Sequence, residues 1–244
     1  DDLLAMEERP EHLVVLGAGA VGSEFASVFL RYGSQVTLVE LQDRILPIED
    51  EEVSEEVARV FGKQGMDVRT GAKVTDASAH DDGVTITLEG ADGGSEQMEA
   101  SHLLVAVGRR PVTEDVGLAD RGVEVDERGF VVVDEFMRTN VEGVYAIGDI
   151  VNTPWLAHVA SKEGILAVDH LSGHKAYPID YDHVPNCTYC SPEVASTGLT
   201  EREAKARGYE VRCGKFPFSA IGKASILGKP EGFVKIVTET KYDE

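Results

Sequence analysis

The first 64 residues alternate short apolar runs with segments of helical periodicity. Residues 12–16 and 35–40 are apolar and rich in β-branched side chains, which predicts buried strands. Between them, and again over 51–64, apolar positions recur at intervals of three and four, which predicts two amphipathic helices. The order strand, helix, strand, helix predicts a parallel sheet with right-handed crossovers. The predicted apolar faces are Val21, Phe25, Val28, Phe29 and Tyr32 in the first helix and Val53, Val57, Val60 and Phe61 in the second.

From Met66 onward the pattern changes to period-two alternation with Gly-rich turns. Residues 66–107 are interpreted as a β-meander that closes the first domain, with alternating runs at 84–89 and 102–107. The unit that follows is predicted to hold three short strands and then one helix. The strands are expected near 123–125, 130–133 and 144–147, and the helix near 156–171.

A third unit is predicted from His183 onward. A strand is expected over 184–190, and Thr200 opens a short helix in which Glu203, three residues later, completes a capping box. Two more strands are expected near 210–216 and 233–237. Because the sequence stops soon after the last strand, we expect the neighbouring strand of its sheet to belong to a longer chain.

The composition is that of an ordinary globular protein. It is 42% hydrophobic and 27% charged, and no run approaches the roughly 18 apolar residues that a membrane span needs. With 23 Lys and Arg against 44 Asp and Glu, the net charge of −21 argues against nucleic acid and anionic membranes as partners. Three cysteines do not make a disulfide scaffold. A cytoplasmic protein is therefore expected, with the mitochondrial matrix as the alternative.

A glycine-rich loop joins the first predicted strand to the first predicted helix. Residues 17–22 read Gly-Ala-Gly-Ala-Val-Gly, the G-x-G-x-x-G spacing of dinucleotide-binding loops. In this motif Gly17 permits the tight turn, Gly19 lets a pyrophosphate approach the backbone, and Gly22 lets the helix pack closely on the strand. The helix N-terminus adds free N–H groups and a partial positive charge. The loop therefore predicts a dinucleotide site.

Two acidic residues near this loop bear on which dinucleotide binds. Glu40 ends the second strand, 18 residues after Gly22. A carboxylate there accepts hydrogen bonds from both ribose hydroxyls and repels a 2′-phosphate, so NAD is favoured over NADP. Glu24 lies early in the helix, where a carboxylate also complements the helix dipole, so its position alone does not assign it a ligand.

Six segments of the chain together carry a family resemblance. In chain order they are GAGAVGSEFA at 17–26, DRILP at 43–47, AVGRRP at 106–111, NVEGVYAIGD at 140–149, LAHVASKEG at 156–164 and SPEVASTGLTE at 191–201. The chain resembles the pyridine nucleotide–disulfide oxidoreductases, and among them the dihydrolipoamide dehydrogenases. The resemblance implies an α/β chain with three parts: a Rossmann-like NAD-binding domain with a β-meander over 1–112, a central part that completes the FAD domain over 113–182, and the first half of an α+β dimerisation domain over 183–244.

The resemblance implies two cofactor sites. Glu40 would take the adenosine ribose of NAD, Glu24 would lie near the nicotinamide amide, and Val74 and Gly108 would border the adenine and nicotinamide ends. Asp149 would bind the ribityl chain of FAD. The remaining contacts are Gly17, Gly19, Ala20, Val21 and Gly22 to the NAD pyrophosphate, and Trp155, Leu156, Ala157 and His158 to the isoalloxazine, mostly through backbone atoms.

The segment around Asp149 and Leu156 also allows a physical argument. A helix that begins near Leu156 would aim its positive end at a ligand and stabilise an anionic reduced flavin ring. For the side chain of His158, packing at the start of the helix is favoured over a chemical role.

The implied reaction oxidises dihydrolipoamide with NAD⁺ through a redox disulfide and FAD. The implied partners are a lipoamide-bearing protein of a 2-oxo acid dehydrogenase or glycine cleavage complex, and a second copy in a full-length homodimer. The 244 residues hold no C-x-x-x-x-C pair and no His-x-His-Pro, so we expect a middle piece of the enzyme, inactive by itself, with no catalytic residue and no metal site. Mercuric reductase, soluble transhydrogenase and a non-catalytic NAD-binding fragment stay open as alternatives, whereas Glu40 disfavours glutathione reductase.

The three cysteines are given structural interpretations. Cys187 and Cys190 lie three residues apart in a predicted strand, so their side chains would point to opposite faces and their Cα atoms would be about 10 Å apart. That separation exceeds the reach of a disulfide, which argues against a redox pair. Cys213 is expected to be a packed thiol.

Two other groups of side chains are not expected to bind a ligand. His170 and His174 have the spacing of a metal pair, but no third ligand is near in the sequence. The acidic residues at 49–52, with Glu55 and Glu56, are expected to form a solvated helix start.

Overall fold

A computed structural model describes residues 2–241 of the chain. The described part divides into two compact units, the first formed by residues 2–108 and 187–241 and the second by residues 109–186. Within the described residues, no helix has the length and apolar character needed to cross a membrane.

The first unit is built on a parallel sheet with crossover helices. Its elements are β1 (His12–Leu16), α1 (Ala20–Arg31), β2 (Gln35–Val39), α2 (Glu51–Lys63), β3 (Asp67–Arg69) and β7 (His102–Val105). The strand order is β3-β2-β1-β7, and every neighbouring pair is parallel. This confirms the predicted strand–helix alternation and its parallel sheet.

A second, antiparallel sheet lies against the first. It is the meander β4 (Lys73–His80), β5 (Gly83–Glu89) and β6 (Ser95–Ala100), paired in that order. Leu13 and Val15 of β1 pack in one core cluster with α1 and α2, whereas Val14 packs in another with Ile86 and Leu88 of the meander. Both faces of β1 are therefore covered, which explains its unbroken apolar run.

The meander is shorter than the sequence predicted. The prediction of one meander over 66–107 was wrong at both ends, because β3 and β7 join the parallel sheet instead. The run at 84–89 is confirmed, since its side chains alternate between the core and the surface. The run at 102–107 forms β7, which pairs with the central β1.

The buried face of α1 also differs from the predicted one. Val21, Val28 and Tyr32 are 43%, 40% and 69% exposed. The side that packs on the sheet carries small residues, including Ser23 and Ala26. Small side chains allow a close approach, whereas Val and Tyr on this side would hold the helix away from β1. The predicted face of α2 is confirmed, with Val57, Val60 and Phe61 buried.

The rest of the first unit consists of short elements. In chain order these are β8 (Asn186–Thr188), β9 (Val194–Ser196), α4 (Glu201–Ala206), β10 (Val211–Pro217), α5 (Gly222–Ile226) and β11 (Phe233–Glu239). The capping box is confirmed, with the Thr200 and Glu203 side chains each accepting from the other's backbone N–H. The two predicted strands near 210–216 and 233–237 form as β10 and β11, which pair antiparallel. The strand expected over 184–190 is only β8, which ends at Thr188.

The second unit has one long helix, α3 (Ala157–Leu171), and few other regular elements. The three strands predicted at 123–125, 130–133 and 144–147 were wrong, since only the isolated bridges Val125–Val131 and Arg138–Tyr145 form there. Side chains take backbone donors that a ladder would use. Asp126 accepts from Arg128 N and Phe130 N, and Asp134 and Asn140 act in the same way. The local turns at Asp126 and Asp134 are of a kind that competes with strand pairing.

Candidate functional site

The glycine loop lies between β1 and α1, where two of its glycines leave no room for a side chain. Gly17 has φ of +98°, and a Cβ there would be 2.5 Å from the carbonyl oxygen of Ala106, just after β7. A Cβ on Gly22 would be 1.8 Å from the carbonyl oxygen of Gly17. Both positions exclude any side chain, because real Cβ atoms do not approach backbone oxygens so closely. The two ends of the loop therefore pack closely against each other, and Gly17 packs against the backbone that follows β7.

Gly19 has the opposite environment. No heavy atom lies within 4 Å of the position that its Cβ would occupy. Gly19 is also the N-cap of α1, and its residue type supplies no side-chain cap for the helix. Ala20, Val21 and Gly22 form the first turn, whose N–H groups lack carbonyl partners within the helix. An open backbone at an uncapped helix start fits a pyrophosphate.

Glu40 follows β2 and reaches the same loop. Its side chain is buried, with 8% of the residue exposed. One carboxylate oxygen accepts from Ala18 N at 2.7 Å, and the other accepts from Gln42 N at 2.9 Å. The Glu40 carboxylate therefore holds the glycine loop, a role that its sequence position did not reveal. Each oxygen keeps a second lone pair for a ligand hydroxyl.

The remaining residues expected at the NAD site are placed on different elements. Glu24 on α1 accepts a 2.8 Å hydrogen bond from Tyr189 N. Val74 lies on β4, partly buried against the core cluster that contains Val14. Gly108 has φ of +139° and open space at its Cβ position. The structure thus joins Glu40 directly to the glycine loop, and it gives Glu24 a protein partner that sequence reasoning did not anticipate.

Asp149 lies in the second unit, in a 3-10 turn over Gly148–Ile150. Its carboxylate is 58% exposed and lies 3.4 Å from Nη1 of Arg109. The Arg109 guanidinium lies 4.8 Å from the centroid of the Trp155 ring, and Trp155 contacts Phe130 edge-on at 5.7 Å. The expected ribityl ligand and the expected ring contact are therefore connected through Arg109, which sequence reasoning missed.

The start of α3 completes this region. Leu156 is the N-cap and makes no side-chain cap, so the first helical N–H groups, at Ala157 and His158, have no partner within the helix. His158 is exposed, and its Nε2 lies 2.9 Å from the carbonyl oxygen of Pro185, so it does not pack as expected. Thr153 has a buried hydroxyl without a partner in the described part of the chain. An uncapped helix and an unpaired polar atom beside Asp149 fit a polar cofactor such as FAD.

A buried carboxyl group supports this turn from α3. Glu163 accepts from Gly148 N at 2.7 Å and from the Tyr181 hydroxyl at 2.9 Å. Burial, and then the hydrogen bond to Glu163, raise the pKa of Tyr181 above its ordinary value. The phenol of Tyr181 therefore keeps its proton and donates a hydrogen bond to the Glu163 carboxyl group.

The cysteines and the His pair lie outside both cofactor segments. Cys187 belongs to β8 but Cys190 does not, and burial raises the pKa of Cys190 to about 11, which makes it a poor nucleophile. Cys213 is exposed, so its expected packing was wrong. His170 Nδ1 lies 2.9 Å from the Tyr145 hydroxyl. Across residues 2–241, no three His, Cys, Asp or Glu side chains group as metal ligands.

The acidic start of α2 is not the solvated surface that its sequence suggested. Lys235 of β11, with 7% of its side chain exposed, lies 3.0 Å from Asp50, 2.9 Å from Glu52 and 2.7 Å from Glu201. The ammonium groups of Lys205 and then Lys235 lower the pKa of Glu201 to about 2. The acidic residues bind β11 and α4 to α2, so the cluster is structural.

Comparison with known proteins gives two family matches. Residues 1–164 match the family model described as pyridine nucleotide-disulphide oxidoreductase, and residues 184–244 match the dimerisation domain of the same family. The chain belongs to this family. FAD and NAD are its cofactors.

Named relatives lie in the same family. The chain is 47% identical over 242 residues to a dihydrolipoyl dehydrogenase of Thermus scotoductus, covering 98% of this chain and 52% of that protein. It is 45% identical to a dihydrolipoyl dehydrogenase of Bacillus subtilis, covering 100% of this chain and 52% of the relative. The HOCl-induced flavoprotein disulfide reductase RclA of Escherichia coli matches with a TM-score of 0.89 at 30% identity, over 98% of this chain and 54% of that structure. The chain spans about half the length of the curated relatives it matches.

Proposed function

We propose that this chain carries the NAD-binding part, a share of the FAD contacts and part of the dimer interface of an NAD-linked dihydrolipoyl dehydrogenase. Relatives of that name at 45–47% identity support the proposal. The division at residues 112 and 182 into NAD-binding domain, central part and dimerisation domain belongs to the same proposal.

The observation that carries the proposal is the open backbone at Gly19 beside the buried carboxylate of Glu40. We assign the pyrophosphate to the backbone of the glycine loop, residues 17–22, where Gly19 at the start of α1 has open space at its Cβ position. Glu40, held by Ala18 N, would accept from the adenosine ribose hydroxyls. Glu24 would share its carboxylate between Tyr189 N and the nicotinamide amide, with Val74 and Gly108 bordering the two ends of the dinucleotide.

We assign the FAD contacts of this chain to the second unit. Bound FAD would supply the two-electron chemistry that connects a nicotinamide with a disulfide. The Asp149 carboxylate would accept from ribityl hydroxyls, in exchange for its ion pair with Arg109. The backbone of residues 156–158 and the ring of Trp155 would meet the isoalloxazine, and the positive end of α3 would favour its anionic reduced form.

The proposed partners follow from the same assignment. A lipoamide group on a 2-oxo acid dehydrogenase or glycine cleavage complex is the proposed source of electrons, and a second copy of the enzyme is the proposed dimer partner. The match of residues 184–244 to a dimerisation domain supports the second of these. We place the enzyme in the cytoplasm, with the mitochondrial matrix as the alternative.

Calorimetric titration of the chain with NADH and NADPH tests the nucleotide assignment. We expect NADH to bind at least about tenfold tighter, because a 2′-phosphate would meet the Glu40 carboxylate at close range. Glu40→Ala should remove most of this preference and weaken NADH binding as well, since the loop loses its bond at Ala18 N. Glu55→Gln, on the exposed side of α2, changes the net charge equally and should leave both affinities unchanged. Equal binding of the two nucleotides by the unmodified chain contradicts the assignment.

The isolated polypeptide is proposed to be inactive toward dihydrolipoamide. None of its three cysteines has the C-x-x-x-x-C spacing, and it has no His-x-His-Pro. Without a redox disulfide the electrons have no route from the dithiol to the nucleotide. Dihydrolipoamide-dependent NADH formation by the purified 244-residue chain, with FAD added, would overturn this part of the proposal.

A further inference from the structure

Glu163 is a fully buried carboxyl group, 0% exposed, that the proposed cofactor contacts do not use. It lies on α3, in the turns that follow residues 156–158 at the helix start. A buried carboxyl group is costly unless its oxygens are hydrogen-bonded. Here each oxygen has one donor, from Gly148 N and from the Tyr181 hydroxyl. The donors come from two turns that are far apart in the sequence.

The same face of α3 fits the backbone of the Asp149 turn closely. Ala160, Glu163 and Gly164 share one side of the helix, at positions i, i+3 and i+4. A Cβ on Gly148 would lie 3.3 Å from the Cβ of Ala160, and a Cβ on Gly164 would lie 3.3 Å from Cδ1 of Ile147. The backbone before Asp149 is therefore pressed against the helix, and the carboxyl group of Glu163 holds it there.

Gly148 immediately precedes Asp149, so its position sets that of the Asp149 carboxylate and of the ion pair with Arg109. We propose that Glu163 is a positioning residue that, with Tyr181, holds the 148–150 turn so that Asp149 faces the ribityl chain of the flavin. This inference rests on the proposed flavin role of Asp149. The group recognised is a polyhydroxylated chain, for which the direction of a carboxylate decides the strength of the hydrogen bonds.

Two substitutions at position 163 separate the loss of hydrogen bonds from a change in side-chain volume. Leucine resembles glutamate in volume but offers no acceptor, so it would leave Gly148 N and the Tyr181 hydroxyl without partners. Glutamine keeps an oxygen for Gly148 N and offers an N–H to the Tyr181 oxygen. Gln is therefore the conservative replacement, and Leu is the disruptive one.

The test uses the 244-residue protein and its only tryptophan, Trp155, as the reporter. Glu163→Leu, Glu163→Gln and Tyr181→Phe are compared with Asp169→Asn, a partly exposed carboxylate on the same helix. Acrylamide quenching of Trp155 reports the environment of the turn without cofactor. Quenching of Trp155 by added FAD gives the flavin dissociation constant. Circular dichroism confirms that each variant is folded.

For Glu163→Leu we expect FAD affinity to fall at least fivefold and acrylamide quenching to rise about twofold. We expect Glu163→Gln and Asp169→Asn to stay within twofold of the parent in both measurements. Tyr181→Phe removes one hydrogen-bond donor and should weaken FAD binding two- to threefold. This variant can be measured even if the Leu variant fails to fold. Equal values for the parent, the Leu variant and the Phe variant contradict the inference alone. Absence of FAD quenching in the parent protein would show that this share of the FAD contacts does not bind FAD by itself, and the acrylamide measurement alone then decides the inference: equal quenching of the parent and the Phe variant contradicts it.

Discussion

The two candidate cofactor segments are built in opposite ways. Over residues 17–22 the geometry is set by side chains that are missing, because Gly17 and Gly22 have no room for a Cβ and Gly19 has open space. Around Asp149 it is set by side chains that are present, because Glu163, itself bonded by Tyr181, holds Gly148, and Arg109 pairs with Asp149. A loop whose backbone requires glycines shows these requirements as a motif of fixed spacing in the sequence. A turn held by side chains that are distant in the sequence shows no such motif.

The largest effect should come from filling the closed part of the glycine loop. Gly22→Val would place its Cβ 1.8 Å from the carbonyl oxygen of Gly17. Because both atoms belong to the backbone framework, the strain is relieved only by moving α1 from β1. We expect a loss of about 3 kcal/mol or more in the free energy of unfolding, measured in urea.

Gly62 in α2 provides the matched control. It is also a helical glycine, but no atom lies within 4 Å of its Cβ position. Gly62→Ala should stabilise the protein by up to about 1 kcal/mol, because alanine has the higher helix propensity. A destabilisation of the same size in both variants would show that the close approach at Gly22 does not govern the stability of the loop.

Gly19→Ala separates binding from folding in the same loop. The added methyl meets no protein atom, and the residue has φ of −70°, which alanine adopts freely. We expect the free energy of unfolding to change by less than about 0.5 kcal/mol. NADH binding should weaken at least about tenfold, since the methyl occupies the space through which a pyrophosphate would approach. Unchanged NADH affinity in calorimetry would place the dinucleotide elsewhere.

In the second unit, where side chains hold the turns, we expect a smaller and pH-dependent effect on the free energy of unfolding. Burial raises the pKa of Asp134, but hydrogen bonds from Arg138 and from backbone N–H groups outweigh it and hold the pKa below its usual value. The ionised form is therefore favoured in the folded protein, with a contribution that is complete above about pH 4 and is lost as the pH falls through the lowered pKa. Asp134→Asn should cost up to about 1 kcal/mol at neutral pH and nothing at strongly acidic pH.

Asp126 is the control for this comparison. It accepts two backbone N–H bonds in the same kind of turn, and asparagine retains an oxygen for these bonds. In urea unfolding at neutral pH, Asp134→Asn should lose more stability than Asp126→Asn, because Asp134 also loses its ion pair with Arg138. Equal losses for the two variants would show that the Arg138 ion pair contributes nothing.

The apolar periodicity predicted most of the parallel sheet and its helices in the first unit. The sheet is covered on both faces, so each of these elements carries a local apolar pattern. β1, β2, α1 and α2 were predicted to within a residue or two, as was the loop between β1 and α1. The buried face of α1 was not, because close packing at Gly22 selects small residues over apolar ones. In the second unit the alternating runs resembled strands, and nothing local showed that Asp126 and Asp134 would take the backbone donors. Glu163 and Arg109 act on residues 15 and 40 positions away, so no spacing in the sequence indicated their roles.

The most direct test of the account is to follow backbone amide resonances of the chain during titration with NADH. We predict that the largest shifts occur at residues 17–22 and near Glu40, while the amides of 148–158 in the second unit move little. Shifts centred on another surface, with residues 17–22 unchanged, would contradict the claim that the backbone of this loop holds the dinucleotide.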